Sequence, residues 1–284
     1  MHFQWYPGHM TKAKRMMQEN IKLVDLVIEL LDARIPISSR NPDIDELGKN
    51  KARLVLLNKA DLASEKWNDE WVSYFAEKEI LAVKVNSKKG GGIKSIQGVI
   101  QEACKEKIER NRKKGILNRP IRAMVVGIPN VGKSTFINAL AGKACTKTGN
   151  KPGVTKGKQW IRLNKQVELL DTPGILWPKF EDQEVGLRLA FIGSIKDELL
   201  NMEDMAAEMI AFLQSHNAGF LAKQYAILES QDKYVCLTEI AKNRHCILRG
   251  NELDLGKASR LVIDDARNGR LGRLTFEFPQ DFLE

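Results

Sequence analysis

Residues 127–134 read Gly127-Ile128-Pro129-Asn130-Val131-Gly132-Lys133-Ser134, two glycines four residues apart followed at once by Lys and Ser. The apolar run Ala123-Met124-Val125-Val126 before it reads as a buried strand. Thr135 to Leu140 after it start a helix, with Phe136, Ile137 and Leu140 apolar. Strand, glycine loop and helix together point backbone N–H groups and a helix N-terminus at anionic phosphate. Val131, Gly132, Lys133, Ser134 and Thr135 are therefore expected to bind a nucleoside triphosphate, with Lys133 on the β- and γ-phosphates and Ser134 a hydroxyl ligand to Mg²⁺.

Working outward, the 284-residue chain is long enough for two domains. It has no apolar run of 18 residues, and Met1-His2-Phe3-Gln4 has no secretory character, so a cytoplasmic protein is expected, with no membrane partner. Cys104, Cys145, Cys236 and Cys246 lack CxxC spacing and read as reduced thiols. The net charge of +9 is unevenly spread: residues 1–178 carry +14 and residues 179–284 carry −5. A basic nucleotide-binding part suggests a polyanionic partner.

Upstream, residues 10–22 form a basic amphipathic helix with Met16, Met17 and Ile21 inward. Strands are expected at 23–31, 53–57 and 80–85, and helices at 64–77 and 93–110. Lys105 to Arg122, with eight basic and two acidic residues, is a solvated helix end and linker into the phosphate-loop strand. Downstream come strands near 157–163 and 167–170, making a mainly parallel α/β sheet over residues 1–178. Residues 179–284 form a mostly helical domain, with helices near 184–192, 202–214, 218–226 and 255–268 and an extended stretch at 273–278.

Asn58-Lys59-Ala60-Asp61 follows the strand at 53–57 and matches a guanine-selecting pattern. The Asp61 carboxylate can accept from guanine N1–H and the exocyclic amine, a donor pair that adenine lacks. Lys59 would pack along the base, and Asn58 would tie this loop to the phosphate loop. Asn86 and Ser87, after the next strand, occupy the place of a second guanine loop, where their N–H groups could face guanine O6; an ordinary polar turn is the other reading. Asp171-Thr172-Pro173-Gly174 ends the strand at 167–170, with Asp171 toward Mg²⁺ and the Gly174 N–H toward the γ-phosphate. Thr155, in Pro152-Gly153-Val154-Thr155, is the switch threonine completing the Mg²⁺ shell. Residues 143–165 hold seven Lys/Arg and no Asp/Glu, so nucleotide state and anionic partner binding fall on one loop.

The order of these elements, guanine loops before phosphate loop, together with the opening Trp5-Tyr6-Pro7-Gly8-His9-Met10, resembles the circularly permuted GTPases, and among them bacterial large-subunit assembly factors. The resemblance spans essentially the whole chain. It implies a P-loop GTPase domain with a C-terminal α-helical, RNA-contacting domain. It further implies GTP hydrolysis to GDP, slow alone and ribosome-stimulated, that times release from a late 50S precursor. The partners implied are ribosomal RNA and ribosomal proteins rather than DNA. Asn130 stands where related GTPases help hold K⁺ beside the phosphates. Ile175 replaces a water-orienting glutamine. His9 is then a catalytic candidate, an RNA contact or a helix-start residue. Lys12, Lys14, Arg15, Arg267, Arg270 and Arg273 are further basic contacts or solvated helix faces. A switch for an unrelated protein partner is the alternative function; it would call for an apolar switch surface, and this one is basic.

Overall fold

The computed structural model describes residues 15, 17–146, 159–172, 182–229 and 232–282. Six strands form one sheet: β1 Leu26–Asp32, β2 Ala52–Asn58, β3 Leu81–Lys84, β4 Ile121–Val126, β5 Gln159–Arg162 and β6 Val167–Asp171. Their spatial order is β3-β2-β1-β4-β6-β5. All pairings are parallel except β5 with β6. The antiparallel β5 caps one edge, departing from an otherwise parallel αβ alternation.

Strand β1 is buried along its full length, as a central parallel strand covered on both faces must be. Its Glu29 is compatible with that burial because Arg40 bonds it at 3.0 Å and Arg53 forms a second, closer ion pair. Connections run through α1 Asp43–Leu47, α2 Glu65–Glu77, α3 Ile96–Ala103, α4 Lys105–Lys113 and α5 Lys133–Ala141. Met17, Ile21, Val24, Val27, Ile44, Met124, Val126 and Leu170 form one apolar cluster. A second gathers Leu31, Val55 and Leu57 against Trp71, Tyr74 and Phe75 of α2. Burying each such side chain contributes about 1.5–3 kcal/mol relative to exposure.

The described residues divide into two compact units, and the division is not at a single point in sequence. Residues 182–274 form a helical unit, whereas residues 275–282 belong with the sheet. The helical unit holds α6 Gln183–Phe191, α7 Met202–His216, α8 Phe220–Tyr225, α9 Lys233–Asn243 and α10 Leu255–Arg267. Side chains cap four of these helices: Asp182, Asn201, Asp232 and Asp254 each accept from N–H groups of the first turn. Helix α9 is absent from the sequence reading, although Asp232 and the buried Cys236, Leu237, Ile240 and Ala241 mark it.

Within this unit Arg267 and Arg270 both pair with acids. Arg267 bonds Asp197 at 2.8 Å and the carbonyls of Ala190 and Phe191 at 2.7 and 3.0 Å, closing the end of α6. Arg270 pairs with Asp265, which also accepts from Tyr225 Oη at 2.9 Å. Both arginines have partners within this unit, with 51% of the Arg270 side chain exposed beside Asp265.

Candidate nucleotide site

Parallel strands point their C-terminal ends the same way. The ends of β1, β2, β3, β4 and β6 therefore bring Asp32, Asn58, Val85–Ser87, Gly127 and Asp171 to one edge of the sheet. Asn58 joins the two sequence halves there. Its Nδ2 donates to the Val131 carbonyl at 2.7 Å. Its Oδ1 accepts from Ser87 N at 3.1 Å and Ser87 Oγ at 2.8 Å. Gly132, at φ 98°, must be glycine: a Cβ there would lie 2.6 Å from Asn58 Nδ2.

The guanine-type loop is held from below. Ala60 N donates to Val85 O at 3.2 Å, and Asn68 Nδ2 of α2 donates to Ala60 O at 2.9 Å. Lys59 sits in the left-handed region at φ 58°, a conformation that costs a non-glycine residue about 1–3 kcal/mol and persists where surrounding bonds impose it. Its Nζ lies 2.9 Å from Asp32 Oδ2. Asp32 also takes Arg34 Nε and Nη2 at 2.9 Å each. Burial pushes the Asp32 carboxyl up, but Arg34 and Lys59 outweigh it and hold the group well below the usual carboxylate range. Asp61 stays partly open at 31% exposure, with Lys89 Nζ 3.7 Å away.

The second candidate guanine loop is also internally braced. Asn86 N donates to Gly91 O at 2.9 Å, and Ser87 N to Asn58 Oδ1. Both N–H groups have partners within the protein, the Ser87 bond being the longer of the two. Asn86 Oδ1 instead accepts from Lys88 N and Lys89 N at 3.1 and 2.9 Å, shaping the loop as an Asx turn. The work of Ser87 is to hold Asn58.

On the phosphate side, α5 starts at Lys133 immediately after Gly132. Lys133 Nζ donates to the carbonyls of Gly127 and Ile128 at 2.9 and 3.2 Å, curling back over its own loop. Burial brings its pKa down to about 8, and the charge of Asp171 opposes that fall. Asp171 is 1% exposed, and neither of its carboxylate oxygens has a hydrogen-bond partner among the described residues. Burial raises its pKa, with the Lys133 charge and then the Thr172 backbone N–H pulling the other way. A buried carboxylate with no donor in good geometry is a costly arrangement unless a cation meets it, so Asp171 fits a Mg²⁺ role. Among the described residues no group of three or more His, Cys, Asp or Glu could hold a metal alone. That suits Mg²⁺, which takes one or two carboxylates and completes its shell with water and phosphate oxygens. After α5, Asn138 accepts from Cys145 N and Thr146 N at 2.8 Å each, and Thr146 Oγ1 donates to Ser134 O at 3.2 Å. Asn130 takes φ 60° at the tip of the loop.

His9, Lys12, Lys14, Thr155 and Gly174 lie outside the described residues. Asp32, Arg34 and Asn68 support the site and were missed in sequence. The available signal was an acid closing an apolar strand, with an arginine two residues on.

A family model described as a 50S ribosome-binding GTPase matches residues 122–239. Ribosome biogenesis GTPase A of Bacillus cereus is 51% identical over 285 residues, covering 100% of this chain and 96% of the relative. The protein of the same name from Thermotoga maritima is 34% identical, covering 98% of this chain and 95% of the relative. Among solved structures, the GNP-bound crystal structure of YlqF from T. maritima matches at TM-score 0.65 and 28% identity, over 95% of this chain and 99% of that one. Guanine-type and phosphate loops tied by one asparagine, and relatives matched along nearly their whole length, lead to the same place: the chain is a GTPase belonging to the ribosome biogenesis GTPase A family.

Proposed function

We propose that this chain is a cytoplasmic assembly factor for late maturation of the bacterial 50S subunit, using GTP hydrolysis to time its release. The observation that carries the proposal is the Asn58 bridge, which fixes a base-reading loop to a phosphate loop at one sheet edge. Asn58, Lys59, Ala60 and Asp61 select guanine. Val131, Gly132, Lys133, Ser134 and Thr135 hold the phosphates. Ser134, Asp171 and Thr155 are the Mg²⁺ ligands, and Asn130 supports K⁺. When bound, Mg²⁺ supplies positive charge to the phosphoryl oxygens. Lys133 adds a buried cation from the protein, and α5 presents its N-terminus. The Gly174 N–H reads the γ-phosphate and His9 orients water once the particle docks.

Ribosomal RNA and ribosomal proteins of the 50S precursor are the partners. Supporting this, α4 and the linker after it expose Arg110, Arg112, Lys113, Lys114 and Arg119. Arg122 lies 5.3 Å from the Trp160 ring centroid, a pairing of cation and exposed aromatic suited to nucleic acid. Cosedimentation with 50S precursors over a salt series tests the proposal. GTP-dependent binding that weakens steeply with salt is expected. Binding indifferent to nucleotide and salt, or none at low salt, would overturn it.

A further inference from the structure

The last described residues, 275–282, do no nucleotide chemistry, yet they carry a buried acid and an aromatic set. Glu277 is 0% exposed. Its carboxylate accepts from Ile37 N at 2.8 Å, from Ser38 N at 3.0 Å and from Ser38 Oγ in a still closer bond. One residue earlier, Phe276 N donates to the Arg34 carbonyl at 2.8 Å. A charged acceptor on consecutive N–H groups is among the stronger kinds of hydrogen bond. It fixes residues 34–38 as one rigid loop.

That loop holds the guanine side of the site. Arg34 forks onto Asp32, and Asp32 takes Lys59 Nζ at 2.9 Å. Asp32 N is in turn held by Ser39 Oγ at 3.0 Å, and Ala33 N donates to the Asn58 carbonyl at 2.8 Å. A second route runs through α2. Trp71 Nε1 donates to the Glu277 carbonyl at 3.2 Å, and the Trp67 and Phe278 rings meet at 4.7 Å. Between those two tryptophans stands Asn68, which holds the Ala60 carbonyl. Both routes end on residues 58–60, and among the described residues their link to the phosphate loop is the Asn58 side chain, bonded to the Val131 carbonyl.

We propose that segment 275–278, with Glu277 as its anchor, positions the guanine-reading loop, and thereby sets base affinity and selectivity independently of phosphate binding. Glu277 acts through Arg34, Asp32 and Asn68 and is a positioning residue. The segment directly follows the helical unit in sequence, so whatever frees it would lower guanine-nucleotide affinity. The inference rests on residues 58–61 reading guanine.

The test measures dissociation constants for GDP and ADP by calorimetry in the full-length protein, with melting temperatures alongside. Glu277→Ala is expected to weaken GDP about tenfold and ADP by less than about twofold, so selectivity narrows about tenfold. Glu277→Gln keeps the shape with part of the acceptor capacity and should fall between wild type and Glu277→Ala. Ser38→Ala removes one donor from the other side of the contact and should move selectivity the same way; these two variants decide the matter if Glu277→Ala does not fold. Selectivity unchanged in both, or GDP and ADP weakened equally in step with melting temperature, would overturn the positioning role. A wild-type protein that does not prefer GDP over ADP would instead refute guanine reading by residues 58–61, a result separate from any effect of the variants.

Discussion

Asn58 Nδ2 donates to the Val131 carbonyl at 2.7 Å across 73 residues of sequence, and the same side chain accepts from Ser87 on its other side. One buried amide therefore locks three loops, and permuting the chain leaves that junction intact because it depends on strand ends rather than on order. Replacing Asn58 with Ala orphans the Val131 carbonyl and the Ser87 N–H. The expected cost is about 1–3 kcal/mol of stability. GDP affinity should fall about 100-fold as the loops lose their common anchor. Asn58→Asp keeps the acceptor for Ser87 and loses the donor, so it should retain part of the binding. Calorimetric titration with GDP and chemical denaturation read the two effects separately.

Lys133 gives the free site a pH signature. Burial brings its pKa to about 8 from an ordinary 10.5. The unfolded chain then holds more protons between those values, and stability of the free protein should rise with pH through that window. Triphosphate brings negative charge that favours the protonated amine. Binding at about pH 9 should take up a proton, and affinity should decline as pH climbs past about 8. Titrations in two buffers of different ionisation enthalpy measure the uptake; none at about pH 9 would show that Lys133 is already fully charged in the free site.

Asp171 makes a different prediction. Among the described residues both of its oxygens are buried with no donor in good hydrogen-bond geometry, an arrangement that suits a divalent cation. Asp171→Asn should remove the Mg²⁺ dependence of turnover and slow hydrolysis by at least about 100-fold. GDP binding measured without Mg²⁺ should change little. Phosphate release followed across a Mg²⁺ series checks both statements. A Mg²⁺ response equal to that of wild type would show that Asp171 does not hold the metal.

How much of this was legible follows from where information sits along a chain. Residues at the ends of parallel strands share one edge, so Asn58, Gly127 and Asp171 could be placed together from local pattern alone. Helix α9 was equally local, and its Asp232 cap and apolar face went unread. Two features were not local. Glu277 contacts Ser38 across 239 residues, and nothing near either residue announces it. Asp32 looks like a polar strand terminus until Arg34 and Lys59 are seen to neutralise it in the interior. The Asn86 and Ser87 amides make a related point. Sequence supplies the donors, while only the folded turn shows that Gly91 and Asn58 already use them.

Partner binding should respond most to charge on the surface away from the nucleotide. Arg112, Lys113 and Lys114 are exposed at the end of α4 and beyond it, so neutralising them removes field without removing packing. If they meet phosphate, each lost contact lowers the slope of log affinity against log salt by about one. The triple change to Gln should reduce the slope for 50S-precursor binding by about two to three, with affinity falling most at low salt. Circular dichroism of the variant establishes that folding is retained. A slope equal to wild type would move the RNA-facing surface to the basic segment at residues 143–165, where charge reversal would then be the next measurement.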